Sequence, residues 1–348
     1  MQRATADLIG IKALSRDEIT SQFAEVGLPA FRAKQVIQWL YQKGAHSYDE
    51  MTNLPLALRE QLSESLPLHF PEIVRKQVSQ DGTRKYLLRL GDGALVESVA
   101  MPTKTRLSAC VSTQAGCPMR CQFCATGRNG YTRSLGCGEI VDQATIIAQD
   151  FGQRVTNVVL MGQGEPFLNY DASIEAMRIF NSKDGLGIGA RHITVSTCGI
   201  LPQIRRFAQE PEQFTLAVSL HSAVQETRDR IMPGVRSYPL ERLHDSIASY
   251  AEATGRRPTY EYALMAGIND SDAELKALVA FTRRTLCHVN LIQLNEVKGS
   301  SYHPSTDERL NAFKIGLERA GVEVTVRESR GSDIDAACGQ LKQKASRK

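Results

Sequence analysis

Apolar positions along this chain change their period twice, and each change marks a different kind of structure. Between Leu8 and about Leu66 they recur every three or four residues, the spacing of amphipathic helices. Ser15, with Glu18 three residues on, reads as a capping box ahead of Ile19, Phe23 and Val26 and predicts a helix start there. A second helix is predicted over residues 33–43, with Val36, Trp39 and Leu40 on one side. A third follows Pro55, with Leu58, Leu62 and Leu66 on its buried stripe. From Glu72 to Pro102 the period shortens. Residues 85–90, a turn at Gly91-Asp92-Gly93 and residues 94–101 predict a β-hairpin. Residues 1–95 are therefore expected to form a small accessory domain.

Beyond it, strand and helix patterns alternate. Apolar, β-branched runs at 108–113, 155–161, 192–197, 215–220, 259–265, 288–294 and 322–326 read as strands. Helical patterns separate them at 139–150, 172–181, 240–254, 273–286 and 308–320, with capping boxes expected at Ser271/Glu274 and Ser305/Glu308. Such alternation implies an α/β fold with parallel strands and right-handed crossovers, either a doubly wound sheet or a barrel. Periodicity does not separate those two. The basic end, residues 342–348, reads as a solvated, frayed terminus.

Composition narrows the picture only a little. A chain of 348 residues that is 42% hydrophobic and 23% charged can bury one large α/β core beside a smaller domain. It contains no apolar run of about 18 residues, so no membrane span is expected. Its first residues lack the apolar stretch of a signal peptide. Eight cysteines without a secretory signal suit a reducing cytoplasm, where clustered thiols are more often metal ligands or catalysts than staples. A net charge of +4 is compatible with a nucleic-acid partner, although many enzymes share it.

The chemistry concentrates in one run, GCPMRCQFCATG. Cys117, Cys121 and Cys124 are one thiolate short of closing a tetrahedral zinc or a four-cysteine cluster site. The run follows the first strand of the alternating region, at the end where α/β folds place their sites. Gly116, Phe123 and Gly127 suit a loop wrapped closely around a cluster. The bland alternatives are three unrelated buried thiols, or a zinc site completed by a distant residue. The next strand ends in Gly162-Gln163-Gly164-Glu165-Pro166, where glycines let a ligand approach the backbone; standing alone this is a weak signal.

Taken together, ACVSTQAGCPMRCQFCATG, NVVLMGQGEPFLNY, HITVSTCGI, AVSLHS and SRGSDIDAACGQL resemble the RlmN/Cfr family of radical S-adenosylmethionine (SAM) enzymes, over nearly the whole chain. The resemblance implies a partial (β/α)6-type radical SAM barrel at 96–330. It places a small N-terminal helical plus β-hairpin accessory domain, RNA-binding, at 1–95 and a C-terminal segment carrying a methyl-accepting cysteine at 331–348. It implies that Cys117, Cys121 and Cys124 hold three irons of a 4Fe–4S cluster and that SAM chelates the fourth. SAM contacts are implied at Gly164, Glu165, Ser196, Ser219, Leu220, His221 and Asn295. Gln163 stands where the family usually carries methionine.

Two further cysteines acquire roles only through the resemblance. Cys338 matches the cysteine that the family methylates, and Cys110 matches its redox partner. By spacing alone, Cys110 reads as a buried strand residue, Cys338 as a surface thiol on a tail, and Glu97 as a solvated charge on a hairpin. Glu97 matches a position treated as a proton acceptor. Cys137, Cys198 and Cys287 match no role and read as core fillers.

The implied reaction methylates adenine C2 in 23S ribosomal RNA, at the peptidyl-transferase centre, and the adenine 3′ to the anticodon of tRNA. It consumes two SAM per turnover through an S-methylcysteine and a Cys110–Cys338 disulfide. An external one-electron donor, of the flavodoxin or ferredoxin type, is needed because the chain shows no flavin or nicotinamide site. A cytoplasmic monomer with no membrane partner is expected. Arg32, Lys34, Lys43, Arg128 and Arg133 are candidate phosphate contacts. The alternatives are a C8-methylating relative and, from another class, a zinc-holding RNA-binding module.

Overall fold

A computed structural model describes residues 10–283 and 285–341. Leu8 and the basic end 342–348 lie outside the described residues.

Three helices come first, α1 (Arg16–Glu25), α2 (Ala30–Tyr41) and α3 (Leu56–Ser65). The Ser15 box forms: its Oγ accepts from the Glu18 amide at 3.2 Å, and Glu18 accepts from the Ser15 amide at 2.7 Å. Ile19 and Phe23 are buried as expected, but Val26 is exposed, because the helix stops at Glu25 and the chain turns at Gly27. Pro29, at the cap of α2, starts that helix three residues before the expected position, consistent with the fixed φ of proline.

Strands β1 (Glu72–Val78), β2 (Arg84–Arg89) and β3 (Leu95–Pro102) form the expected hairpin region, antiparallel throughout. They do not stand apart. β3 pairs antiparallel with β4 (Leu107–Cys110), the first strand of the alternating region. After β4 come a short ribbon of β5 (Gln114–Gly116) and β6 (Tyr131–Ser134), with α4 (Ala125–Asn129) between them, and then α5 (Cys137–Phe151). The chain continues through β7 (Asn157–Leu160), α6 (Tyr170–Asn181), β8 (Ile193–Thr197), α7 (Leu201–Phe207), β9 (Thr215–Ser219) and α8 (Gln225–Ile231). It closes with α9 (Leu240–Thr254), β10 (Thr259–Leu264), α10 (Asp272–Thr282), β11 (His288–Gln293), α11 (Asp307–Arg319) and β12 (Glu323–Arg327).

Among the described residues these strands make one ten-stranded sheet, ordered β1-β2-β3-β4-β7-β8-β9-β10-β11-β12, plus the β5–β6 ribbon. Every pair from β4 to β12 is parallel. Among the described residues no strand pairing joins β12 back to β1, and the barrel they form is partial. All seven expected strands of this region are present. The five expected helices are present too, while α4, α7 and α8 (five to seven residues each) are too short to carry a legible period.

Two capping expectations need correction. Ser271 caps α10 by accepting from the Glu274 amide, but the Glu274 carboxylate turns inward to accept from Ser222 instead of returning to the cap. Thr306, not Ser305, caps α11, because Ser305 spends its hydroxyl on the Asp270 carboxylate.

The outward faces of the parallel strands bury Val158, Leu160, Val195, Leu216, Val218, Tyr260, Tyr262, Val289 and Leu291 against the helices. The other face is polar. Ser196 and Ser219 meet there with hydroxyls 3.5 Å apart, and Glu261 accepts from Asn290 at 2.9 Å. A face that is both buried and polar needs polar partners, so it suits a ligand-holding interior better than a packed core.

Candidate active site

The cysteine loop is built by the ribbon that follows β4. Its close fit requires glycine: a Cβ at Gly127 would sit 2.9 Å from the Cys121 amide nitrogen. Cys117, Cys121 and Cys124 are part-buried and pack against the main apolar core. Burial pushes the Cys117 thiol up to about 12, and Cys121 well above its ordinary value, with the neighbouring thiols adding to both. Thiols in such a place become thiolates only when something cationic holds them, as coordination does outright.

A cation already stands beneath them. Arg228 is fully buried, donating to the carbonyls of Cys198 at 2.6 Å and Leu220 at 3.3 Å, and its Nη1 has no protein partner. It interacts electrostatically with Cys121 and Cys198. Burial lowers its pKa and the thiols oppose that shift, so an anionic group above it is stabilising in both directions. Three part-buried thiols on one loop, with a buried cation interacting with Cys121, are a donor set that can hold three irons of a cluster, one thiolate to each.

The loop after β7 lies beside this one. Gly164 takes φ 108, and a Cβ there would meet the Gln114 amide and the Thr113 hydroxyl at 2.8 Å. Glu165 is buried; its carboxylate accepts from the Phe167 amide at 3.0 Å and from the Cys198 amide at 2.7 Å. Burial raises its pKa, and these hydrogen bonds pull the other way. Glu165 thus staples the loop after β7 to the loop after β8.

His221 follows β9 in a left-handed conformation, φ 54. Its Nδ1 accepts from the Ala263 amide at 3.0 Å, and the Phe123 ring meets it edge-on at 4.8 Å. Burial drives its pKa down to about 3, with Arg228 acting in the same direction. The ring is therefore neutral, and an accepting Nδ1 assigns the proton to Nε2. The histidine is thus held by the backbone through one nitrogen, with one donor remaining. Leu220 is fully buried, and Asn295 donates to the Cys338 carbonyl at 3.3 Å.

The C-terminal segment crosses to the start of the sheet. Cys110, at the end of β4, is buried with Val99, Ala336 and Leu341, and Met101, Val159, Met161 and Ile334 pack around them. Burial pushes the Cys110 thiol up to about 12, and the neighbouring Cys338 thiol adds to the shift. Cys338 keeps exposed surface. Its pKa is raised by desolvation, while Arg327 acts to lower it. Both bland descriptions hold, a buried strand thiol and an exposed one, yet the fold packs Cys110 against the segment that carries Cys338.

Glu97 is corrected from a solvated charge to a buried one at 1% exposure, with Lys85 Nζ at 3.6 Å. Its main-chain groups point to the β4 side, beyond the end of the β3–β4 pairing. There the Glu97 amide donates to Gln163 Oε1 at 3.2 Å, and its carbonyl accepts from Ser112 at 2.6 Å. Gln163 is thereby a loop anchor between β3 and β7. Arg133 is also corrected: Asp92 and Glu139 occupy its guanidinium, leaving no free fork for a phosphate. Arg128 donates to the Gly299 carbonyl, Arg32 lies over Phe31, and Lys43 over Trp39 at 3.6 Å. Cys137, Cys198 and Cys287 are buried fillers as expected. Lys85, Arg228, Glu261 and Arg327 went unsingled in the sequence, where each is one charge within an unremarkable strand or helix.

Comparison with known proteins agrees with this arrangement. A model of the radical SAM superfamily matches residues 111–279, and one described as the ribosomal RNA large subunit methyltransferase N-terminal domain matches residues 9–67. A relative from Symbiobacterium thermophilum, described as "Probable dual-specificity RNA methyltransferase RlmN", is 46% identical over 97% of this chain and 92% of its own length. One of the same description from Pelotomaculum thermopropionicum is 47% identical over 97% and 92%. The crystal structure of a radical SAM methyltransferase from Sphaerobacter thermophilus superposes with a TM-score of 0.91, at 44% identity, over 97% of this chain and all of that one.

Proposed function

This chain belongs to the RlmN family of radical SAM RNA methyltransferases, and from that premise we propose that it methylates adenine C2 in 23S ribosomal RNA and in tRNA. Its sites are the peptidyl-transferase centre and the adenine 3′ to the anticodon. The enzyme uses a 4Fe–4S cluster and two SAM molecules per turnover. When bound, they supply a methyl cation equivalent and a radical able to take hydrogen from a methyl group.

The chain's own residues divide the remaining work. Cys117, Cys121 and Cys124 hold the cluster above Arg228. Gly164, Glu165, Ser196, Ser219, Leu220, His221 and Asn295 line the polar mouth and hold SAM. Adenine C2 is not a nucleophile, so a relay is needed: the Cys338 thiolate accepts the methyl and presents it to the base. Glu97 accepts the ring proton, and the Cys110 thiolate attacks the Cys338 sulfur, breaking its bond to the transferred carbon; the product leaves, and an external reductant reopens the Cys110–Cys338 disulfide. The observation that carries this reading is the side-by-side packing of Cys110 with the Cys338 segment, which neither a zinc module nor a simple base methyltransferase requires.

The accessory unit 1–95 guides RNA, 96–330 is the catalytic core, and 331–348 delivers Cys338. The protein works as a cytoplasmic monomer reduced by a flavodoxin- or ferredoxin-type donor; no described helix is long and apolar enough to cross a membrane. The test is mass spectrometry of the methyladenosine isomer formed on ribosomal RNA and tRNA from cells lacking their own enzyme. 2-Methyladenosine is expected in both. 8-Methyladenosine, or methylation elsewhere, overturns the assignment.

A further inference from the structure

The hairpin that opens the sheet grips the segment that ends it. Asp81, in the β1–β2 turn, accepts from the Gly331 amide at 3.1 Å, and Ser79 donates to the Asp333 carboxylate at 2.6 Å. Lys85, on β2, completes the contact from inside. Its ammonium donates to the Asp335 carbonyl at 3.0 Å, three residues before Cys338, and lies 3.6 Å from Glu97 Oε1. The side chain is only 6% exposed. A buried ammonium carries three donors that water cannot reach, so its partners hold it and it holds them. Asp335 itself sits at φ 53, in the left-handed region that aspartate adopts more readily than most non-glycine residues.

We propose that Lys85 is a positioning residue, which ties the Cys338 segment to the barrel wall and holds the Glu97 carboxylate beside it. The proposal rests on the roles given above to Cys338 and Glu97. The charges facing the ammonium are Glu97 from β3, Asp335 from the C-terminal segment and Arg75 from β1. Against the burial that lowers the Lys85 pKa, Glu97 is the leading opposing influence.

The test uses the full, cluster-loaded chain. Lys85→Met/Glu97→Gln removes both charges, so neither is left buried alone. Amide hydrogen exchange in residues 331–337 is expected to rise about tenfold, the scale of one lost hydrogen bond to a charged donor. Peptides from β9 and β11 are expected to stay as in the parent protein. Parent-like exchange in 331–337 overturns the tether. Lys85→Met alone is expected to slow single-turnover methylation with the KM for RNA unchanged, and Lys85→Arg, which keeps a cation beside Glu97, is expected to restore most of the rate. A parent-like rate in Lys85→Met overturns the link to Glu97. If the neutral variants fail to fold, Lys85→Arg decides the tether, since moving the donors is expected to speed exchange in 331–337, and parent-like exchange there refutes it. Glu97→Gln alone is expected to stop turnover with parent-like exchange. Full turnover by that variant sinks the Glu97 role while leaving the tether to be judged by exchange.

Discussion

Lys12 offers the most direct test of how the N-terminal helices are held to the barrel. Its ammonium lies 2.6 Å from Asp142 Oδ1 on α5, with the two side chains 0% and 1% exposed. It also sits 5.0 Å above the Tyr41 ring of α2. The second oxygen of Asp142 has no partner. Lys12→Met therefore leaves a carboxylate buried with nothing to hold its charge, which costs about 3–5 kcal/mol. At a denaturant slope of about 2–3 kcal/mol per M this lowers the urea midpoint by about 1–2 M. Trp39, the chain's only tryptophan, lies on α2 and reports the event by fluorescence.

The pH dependence fixes the cause. Burial pushes the Asp142 carboxyl up to about 6 even while Lys12 pulls it down, so without Lys12 it rises further. A folded pKa above the unfolded one means that the native state binds the extra proton. Stability then falls as pH rises from about 4 through the folded value, and the variant loses more at pH 8 than at pH 5. Lys12→Met/Asp142→Leu, which removes both charges, is expected to recover most of the loss. A Lys12→Met protein within about 1 kcal/mol of the parent at pH 8, or equally destabilised at both pH values, refutes the reasoning.

Four shorter expectations accompany it. Cys338→Ala abolishes RNA methylation while leaving cluster content and reductive SAM cleavage intact; a methylating Cys338→Ala protein removes Cys338 from its role. Cys110→Ala lets attack proceed but blocks release, so protein crosslinked to RNA accumulates on denaturing gels, and clean turnover counts against it. Arg327 lowers the Cys338 pKa, so Arg327→Met slows iodoacetamide capture of Cys338 at pH 8 and shifts its rate profile to higher pH; an unchanged profile contradicts the assignment. His221 is neutral in the fold, with a pKa of about 3 against about 6.5 when unfolded, so stability falls as pH drops below about 6.5. That loss is about 2 kcal/mol by pH 5, and His221→Asn, which tolerates the left-handed backbone, is expected to flatten it in acid urea titrations.

What the sequence determined by itself was whatever depends on neighbours in the chain. The strand–helix alternation, the Ser15 cap and the three-cysteine loop follow from local periods and spacings, and they stand in the fold at the expected places. Where short-range rules failed, a distant partner had outbid a local one: Asp270 took the Ser305 hydroxyl, and Ser222 took the Glu274 carboxylate. The tertiary structure alone decided which charges are buried and which thiols come near each other. Glu97 reads as a hairpin surface charge until Lys85 and the loop after β7 close over it. Cys110 and Cys338 stand at opposite ends of the catalytic region, and nothing in their local sequence pairs them. They come near each other because the chain, leaving β12 at one edge of the sheet, crosses back to bury Ala336 and Leu341 against Val99 of β3 and Cys110 of β4.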